Sequence, residues 1–152
     1  MTTTAELIEQ ERRLQFARFT NDDAWRLGCL LVDLVRERAL PVAVDIRRGE
    51  QQLFHYAAAG SSADNDAWIE RKIRVVRRYA ASSYLVGQRF REHGSSFEEK
   101  SRLDLDQYAA HGGAFPIVVP DVGLVGTVAV SGLPQVDDHK LVVEALEKFL
   151  EG

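Results

Sequence analysis

The stretch Val42-Ala43-Val44-Asp45-Ile46-Arg47-Arg48-Gly49-Glu50-Gln51-Gln52-Leu53-Phe54-His55-Tyr56 decides the fold. Val42, Val44 and Ile46 alternate with Ala43, Asp45 and Arg47, the period of a strand with two unlike faces. Gly49 breaks the run, and Leu53-Phe54-His55-Tyr56 reads as the returning strand. So short a connection joins antiparallel neighbours, because a parallel pair needs a crossover of a dozen or more residues. The stretch is therefore a β-hairpin.

Outward from it, the pattern repeats once. Ala114-Phe115-Pro116-Ile117-Val118-Val119 reads as a strand, Pro120-Asp121-Val122-Gly123 as a turn, and Leu124 to Val130 as a second strand. Pro116 has no N–H to donate, which puts the first part of its strand at an edge or bulge. The small apolar residues of the second strand suit burial on both faces. The rest of the chain reads as helices. Thr3 with Glu6 and Thr20 with Asp23 have capping-box spacing. Helices follow over about Thr4–Leu14 and from Thr20 to before Pro41, the latter with Leu27, Leu30, Leu31, Leu34 and Val35 at helical spacing. A long helix runs from a cap at Asp64 or Asn65 to about Phe90, with Gly87 as its point of interruption. Ser96 and Glu99 predict a short helix over Phe97–Tyr108. Asp137 or Asp138 caps a final helix whose Val142, Ala145, Leu146 and Phe149 share a face. The fold class expected is α+β: a single antiparallel sheet, two hairpins linked by a long helix, with helices packed on it.

With 152 residues, 45% hydrophobic and 28% charged, the chain suits one domain spanning 1–152, with residues 1–19 an N-terminal extension carrying a mobile helix. Nineteen Lys and Arg against 23 Asp and Glu give a net charge of −4. That argues against nucleic acid or an anionic membrane surface as a partner. The lone Cys29 excludes an intramolecular disulfide, fits a reducing compartment, and lies on the apolar side of its helix. With no apolar run near 20 residues and no signal-peptide pattern, the expected location is the cytoplasm.

Three stretches carry chemistry, each beside a plainer reading. His111-Gly112-Gly113 places a titratable ring next to two residues that let the backbone approach a ligand closely; the plain reading is a loop leading into a strand. Ser131-Gly132-Leu133-Pro134-Gln135-Val136-Asp137-Asp138-His139 joins a strand end to a helix N-terminus, which suits anions; plainly, one Asp caps the helix and the other faces solvent. Arg71, Lys72, Arg74, Arg77 and Arg78 form either a solvated face or a patch for carboxylates or phosphates. Lys72 lies one turn after Trp68, so both can line one groove. Trp25 and Trp68 read as packing residues before ligand platforms. No single motif identifies a reaction.

Taken together, His111-Gly112-Gly113, Phe115-Pro116-Ile117, Gly126 to Gln135, Asp137-Asp138-His139, Asp66-Ala67-Trp68 and Arg71-Lys72 resemble the haem-degrading (HbpS/GlcG-like) domain family, and within it an uncharacterised UPF-type subgroup of small cytosolic proteins. The resemblance implies a profilin-like sheet sandwiched by helices and assembly into dimers or larger rings. Some members of that family bind or degrade haem; others have no established activity.

The reading that follows is a small-ligand-binding domain of a homo-oligomer. Its site gathers Trp68, Lys72, His111, Gly112, Gly113, Ser131, Gly132, Asp138 and His139, and its ligand is haem or another anionic small molecule. Lys72 and the helix N-terminus hold the anionic group, and His111 titrates or ligates. Two alternatives stand beside it. One is a metal-assisted enzyme in which His111 and His139 hold a divalent metal; the other is a non-catalytic assembly or adaptor protein.

Overall fold

A computed structural model describes residues 2–152. Its strands are β1 (Ala43–Arg48), β2 (Gln51–Ala57), β3 (Ala114–Val119) and β4 (Gly123–Ser131). Its helices are α1 (Thr4–Arg13), α2 (Asn21–Glu37), α3 (Ala63–Tyr79), α4 (Ser83–Glu92), α5 (Phe97–Lys100) and α6 (Gln135–Glu151). The strands form one antiparallel sheet in the order β2-β1-β4-β3. The expected α+β architecture is the one observed. Both hairpins are present, and β1 joins them by pairing with β4. Pro116 lies in β3, an edge strand, where its missing N–H costs no ladder bond on the open side.

The alternation read in β1 runs through the whole sheet. Val44, Ile46, Phe115, Ile117, Val128 and Val130 share one core with Leu27, Leu31 and Val35 of α2 and Val142 and Leu146 of α6. The opposite face presents Ala43, Ala114 and Ala129 to Ile69, Ile73 and Val76 of α3. Methyl groups there let α3 lie close to the strands, while branched and aromatic side chains fill the wider gap under α2 and α6. A separate cluster, with Leu7 of α1, Leu85 of α4 and Phe97 at its centre, closes the end of the molecule beyond α3.

Three expectations about helices need correction. The helix expected from Asp64 or Asn65 to Phe90 is two helices. Ala80 takes a left-handed conformation (φ 51°) that ends α3, and Ser82 starts α4 by accepting from the Leu85 N–H. Gly87, the expected break, lies inside α4, where a β-carbon would sit 2.4 Å from the Ala110 carbonyl oxygen. The cap of α3 is Ser62, in a capping box with Asn65. The helix expected over Phe97–Tyr108 stops at Lys100, and Arg102 follows in a left-handed conformation. Trp25 is 61% exposed, its ring edge-on to Phe54 rather than buried, and Cys29 is only half-buried.

Capping is where local sequence acts most directly. The Thr20 side chain accepts from the Asp23 N–H at 3.1 Å, and the Asp23 carboxylate accepts from the Thr20 N–H at 2.8 Å. Thr20→Ala is expected to lower stability by about 1 kcal/mol. Urea unfolding should show a lower midpoint with an unchanged slope.

Candidate functional site

Lys72 organises the region where the suspected residues meet. It lies on the inner side of α3, and its side chain is 2% exposed. An ammonium taken from water must find acceptors. Its Nζ donates to the carbonyls of Val130 (2.7 Å) and Gly112 (3.0 Å) and pairs with the Asp138 carboxylate at 3.5 Å. Burial draws the Lys72 ammonium down to about 8, against the pull of Asp138. Burial likewise pushes Asp138 up to about 6, against the pull of Lys72 and of the backbone donors at Leu133 and Gly132.

Asp138 is not the cap of α6. Pro134 occupies that position, and Asp138 points back to accept from the N–H groups of Leu133 (3.0 Å) and Gly132 (3.3 Å). The carboxylate therefore ties the loop before the helix to Lys72. The glycines serve the same knot. A β-carbon on Gly113 would lie 2.4 Å from Lys72 Nζ, and on Gly112 2.3 Å from the Gln135 carbonyl oxygen. On Gly132 it would lie 2.4 Å from the Pro41 carbonyl oxygen. The close approach these glycines allow is to the protein's own groups.

Three of the four arginines of the basic run also have internal partners, and Arg78 is exposed. Arg71 and Arg74 donate to the carbonyls of Leu105 and Gln107, holding the segment before β3, and Arg77 donates to Gly49 in the first hairpin turn. They clamp loops to α3 rather than form a free patch.

Beside this knot opens a cavity of about 240 Å³. Trp68, Lys72, His111, Gly112, Ser131, Gly132 and Asp138 line it, as do Asp64, Asn65, Leu133 and Gln135, which the sequence reading did not place there. Gln135 is fixed by accepting from the Gly112 N–H at 3.0 Å. The His111 ring packs on Trp68 at 5.0 Å between centroids, and the Arg71 guanidinium lies 4.3 Å from the Trp68 ring centre. Burial holds His111 below its ordinary value, partly offset by Glu98 at 3.9 Å. Gly113 underlies Lys72 without facing the cavity.

His139 is elsewhere. Its ring packs against Tyr84 and Phe115, its Nε2 lies 2.7 Å from Gln10 Oε1, and its Nδ1 is buried with no hydrogen-bond partner. The two imidazoles of the expected His111–His139 metal pair have different neighbours, His111 packing on Trp68 and His139 on Tyr84 and Phe115. No group of three or more His, Cys, Asp or Glu suited to a metal occurs among the described residues.

Comparison with known proteins agrees with this architecture. A profile of the haem-degrading, HbpS-like proteins matches residues 19–147. The chain belongs to that family. It is 70% identical to a UPF0303 protein of Streptomyces coelicolor over 97% of this chain and 94% of the relative. Its fold superposes on the crystal structure of the Ybr137w protein with a TM-score of 0.90 and 34% identity, over 99% of this chain and 88% of that one. The PduOC:heme complex shares the fold at 15% identity, with a TM-score of 0.69 over 85% of this chain and 93% of that one. In this HbpS-like chain the matched segment spans Lys72, Gly112, Val130 and Asp138.

Two measurements follow. Lys72→Met strands the Asp138 carboxylate and two carbonyls, so it should cost about 3–5 kcal/mol in urea unfolding. Adding Asp138→Asn should recover part of that loss. The second concerns His139, which burial, with Lys140 adding to it, pulls down to about 4 from an ordinary 6.5. The neutral ring is favoured in the folded state. Its stabilisation is complete above pH 6.5 and is lost as pH falls through 4, at about 1.4 kcal/mol per pH unit between. His139→Gln removes this term while Asp138, whose raised value acts in the opposite sense, is kept. Subtracting the two stability profiles should leave that slope.

Proposed function

We propose that the chain is a binding domain for a small polar molecule, seated in the cavity between Trp68, His111 and the Lys72 knot. One observation carries this. The cavity is small and mostly polar, with Asn65, Ser131 and Gln135 offering hydrogen bonds and the Trp68–His111 pair offering a stacking wall. Pockets of this kind fix orientation with a few polar groups beside an aromatic surface. The Lys72 charge is balanced by Asp138, so the ammonium favours a neutral or singly charged ligand rather than a strong anion.

A second reading is haem, favoured by the family's description and by the PduOC:heme complex. Pockets for drug-sized ligands occupy roughly 300–1,000 Å³. At about 240 Å³ this cavity does not enclose a macrocycle, and Lys72 is engaged by its three acceptors and does not fit as an axial ligand. The residue that fits is His111 on the rim, a half-exposed imidazole of the type that ligates haem iron.

The proposal takes residues 1–152 as one domain working as a cytoplasmic homo-oligomer. The exposed Trp25 beside edge strand β2 supports self-association, and the lone Cys29 supports a reducing compartment. No described helix is long and apolar enough to cross a membrane.

In a Trp25→Phe protein, Trp68 is the only indole. Titration with a panel of nucleosides, amino acids and sugars is expected to quench it, and Ser131→Val should weaken the response by about tenfold. Haemin should shift its Soret band through His111, a shift absent in His111→Ala. If neither panel nor haemin perturbs Trp68, the cavity is not a binding site.

A further inference from the structure

A second groove lies at the C-terminal end of α3, where Tyr79 meets α4 and α5, and shares no lining residue with the Lys72 cavity. It has a volume of about 480 Å³, within the range of pockets that hold small ligands. Its floor is apolar, made by the rings of Tyr79 and Phe90, with the buried ring of Phe97 edge-on to both. Its rim carries two cations, Arg89 and Lys100, with the imidazole of His93 between them in sequence.

Three observations concern what this groove would accept. No carboxylate is among its lining residues; of the acids nearby, Glu11 attracts Arg89 from outside the groove, and Glu99 stands beside Lys100 without forming an ion pair among the described residues. Glu92 accepts from the backbone and hydroxyl of Thr4 at 2.9 and 2.7 Å, Glu11 accepts from the Ser82 N–H, and Glu98 faces His111. Arg89 and Lys100 take part in no ion pair among the described residues. The carbonyls at the end of α4, which would repel an anion, are covered. The Phe90 carbonyl accepts from the N–H groups of His93 and Ser95, and that of Arg91 from Gly94. His93 Nδ1 lies 2.7 Å from the Arg89 carbonyl. A carbonyl only accepts, so Nδ1 carries the proton and Nε2 is the nitrogen left for another partner.

The third observation is Ser95 in the groove wall. Its hydroxyl is buried and has no hydrogen-bond partner. Buried hydroxyls are nearly always paired, so this one leaves a donor and an acceptor open to a polar group at the groove wall.

From the apolar floor, the two cations and the unpaired hydroxyl, we infer that this groove is a second binding site, for an amphipathic carboxylate with a single acidic head on an aromatic or medium-chain aliphatic body. The body lies on Tyr79 and Phe90, and the head meets Arg89 and Lys100. A planar guanidinium suits a carboxylate in two-point contact. The Lys72 cavity lacks both the apolar floor and the free cations, so the two sites select different molecules.

The test uses the full chain, with octanoate and benzoate as probes and octanamide as the uncharged control, followed by amide NMR shifts. Octanoate and benzoate should move the Phe90, Ser95 and Lys100 amides and leave the Trp68 indole unmoved. Octanamide should bind about tenfold more weakly, and Arg89→Gln/Lys100→Gln should remove that difference. Both positions are exposed and outside the core, so the variant keeps its fold. Ser95→Ala should weaken octanoate further in the otherwise intact chain. The inference is overturned if octanoate and octanamide bind equally, if the double variant binds octanoate as the parent does, or if the shifts fall at Trp68. It is also overturned if a second copy of the chain covers the groove in solution and no probe enters.

Discussion

An ammonium ion sits almost wholly buried at the wall of the small cavity, held among four parts of the chain. Lys72 comes from α3, the Gly112 carbonyl from the segment before β3, the Val130 carbonyl from the end of β4, and Asp138 from α6. Each partner is needed, because an unmatched buried charge costs several kcal/mol. The knot therefore fixes helices on opposite faces of the sheet relative to each other. It also sets the backbone of both loops beside the small cavity. The glycines at 112, 113 and 132 follow from it, since side chains there would occupy space taken by Nζ and by carbonyl oxygens.

Much of the fold was legible because it rests on local rules. Alternation in Val42–Arg47 named the two faces of β1, the short turns gave two hairpins, and Pro116 placed β3 at an edge. The caps at Thr3, Thr20 and Ser96 were readable from spacing alone. What was not legible depends on distant partners. Nothing at Ala80 announces a helix break, since neither Gly nor Pro stands there; packing of α4 on Leu7 and Phe97 requires the bend. Lys72 was legible as the member of its basic run that shares a groove with Trp68, and only the fold reveals that its ammonium is buried against Asp138 and two carbonyls. Asp138 was legible as important but not in its direction, because a side chain turned back toward Gly132 leaves no trace in spacing. His139 stands one residue from Asp138 and was drawn into the same site by proximity. A helix turns about 100° per residue, and that rotation sends its ring toward Tyr84 instead.

The site residues divide by what they do. Lys72, Asp138 and the glycines build the wall. Trp68, His111, Ser131, Asn65 and Gln135 present it to the cavity. The signature segment running from Ser131 to His139 is thus largely architectural, and the groups free to meet a ligand are fewer than the segment suggests. Membership of the HbpS-like family fixes the framework, while the chemistry the cavity can offer depends on the few side chains that keep a polar or aromatic group turned toward it.

The unlike faces of the sheet have a further consequence. Ala43, Ala114 and Ala129 separate α3 from the strands by little more than a methyl group. That alanine layer acts as a spacer, and α3 carries both Trp68 and Lys72. The width of the cavity is thus gauged by residues that never touch it. Exchanging one of these alanines for a larger residue would act less as a core defect than as a shim, lifting the helix and widening the gap at its far end. The same cavity-lining residues would then enclose a space of a different size.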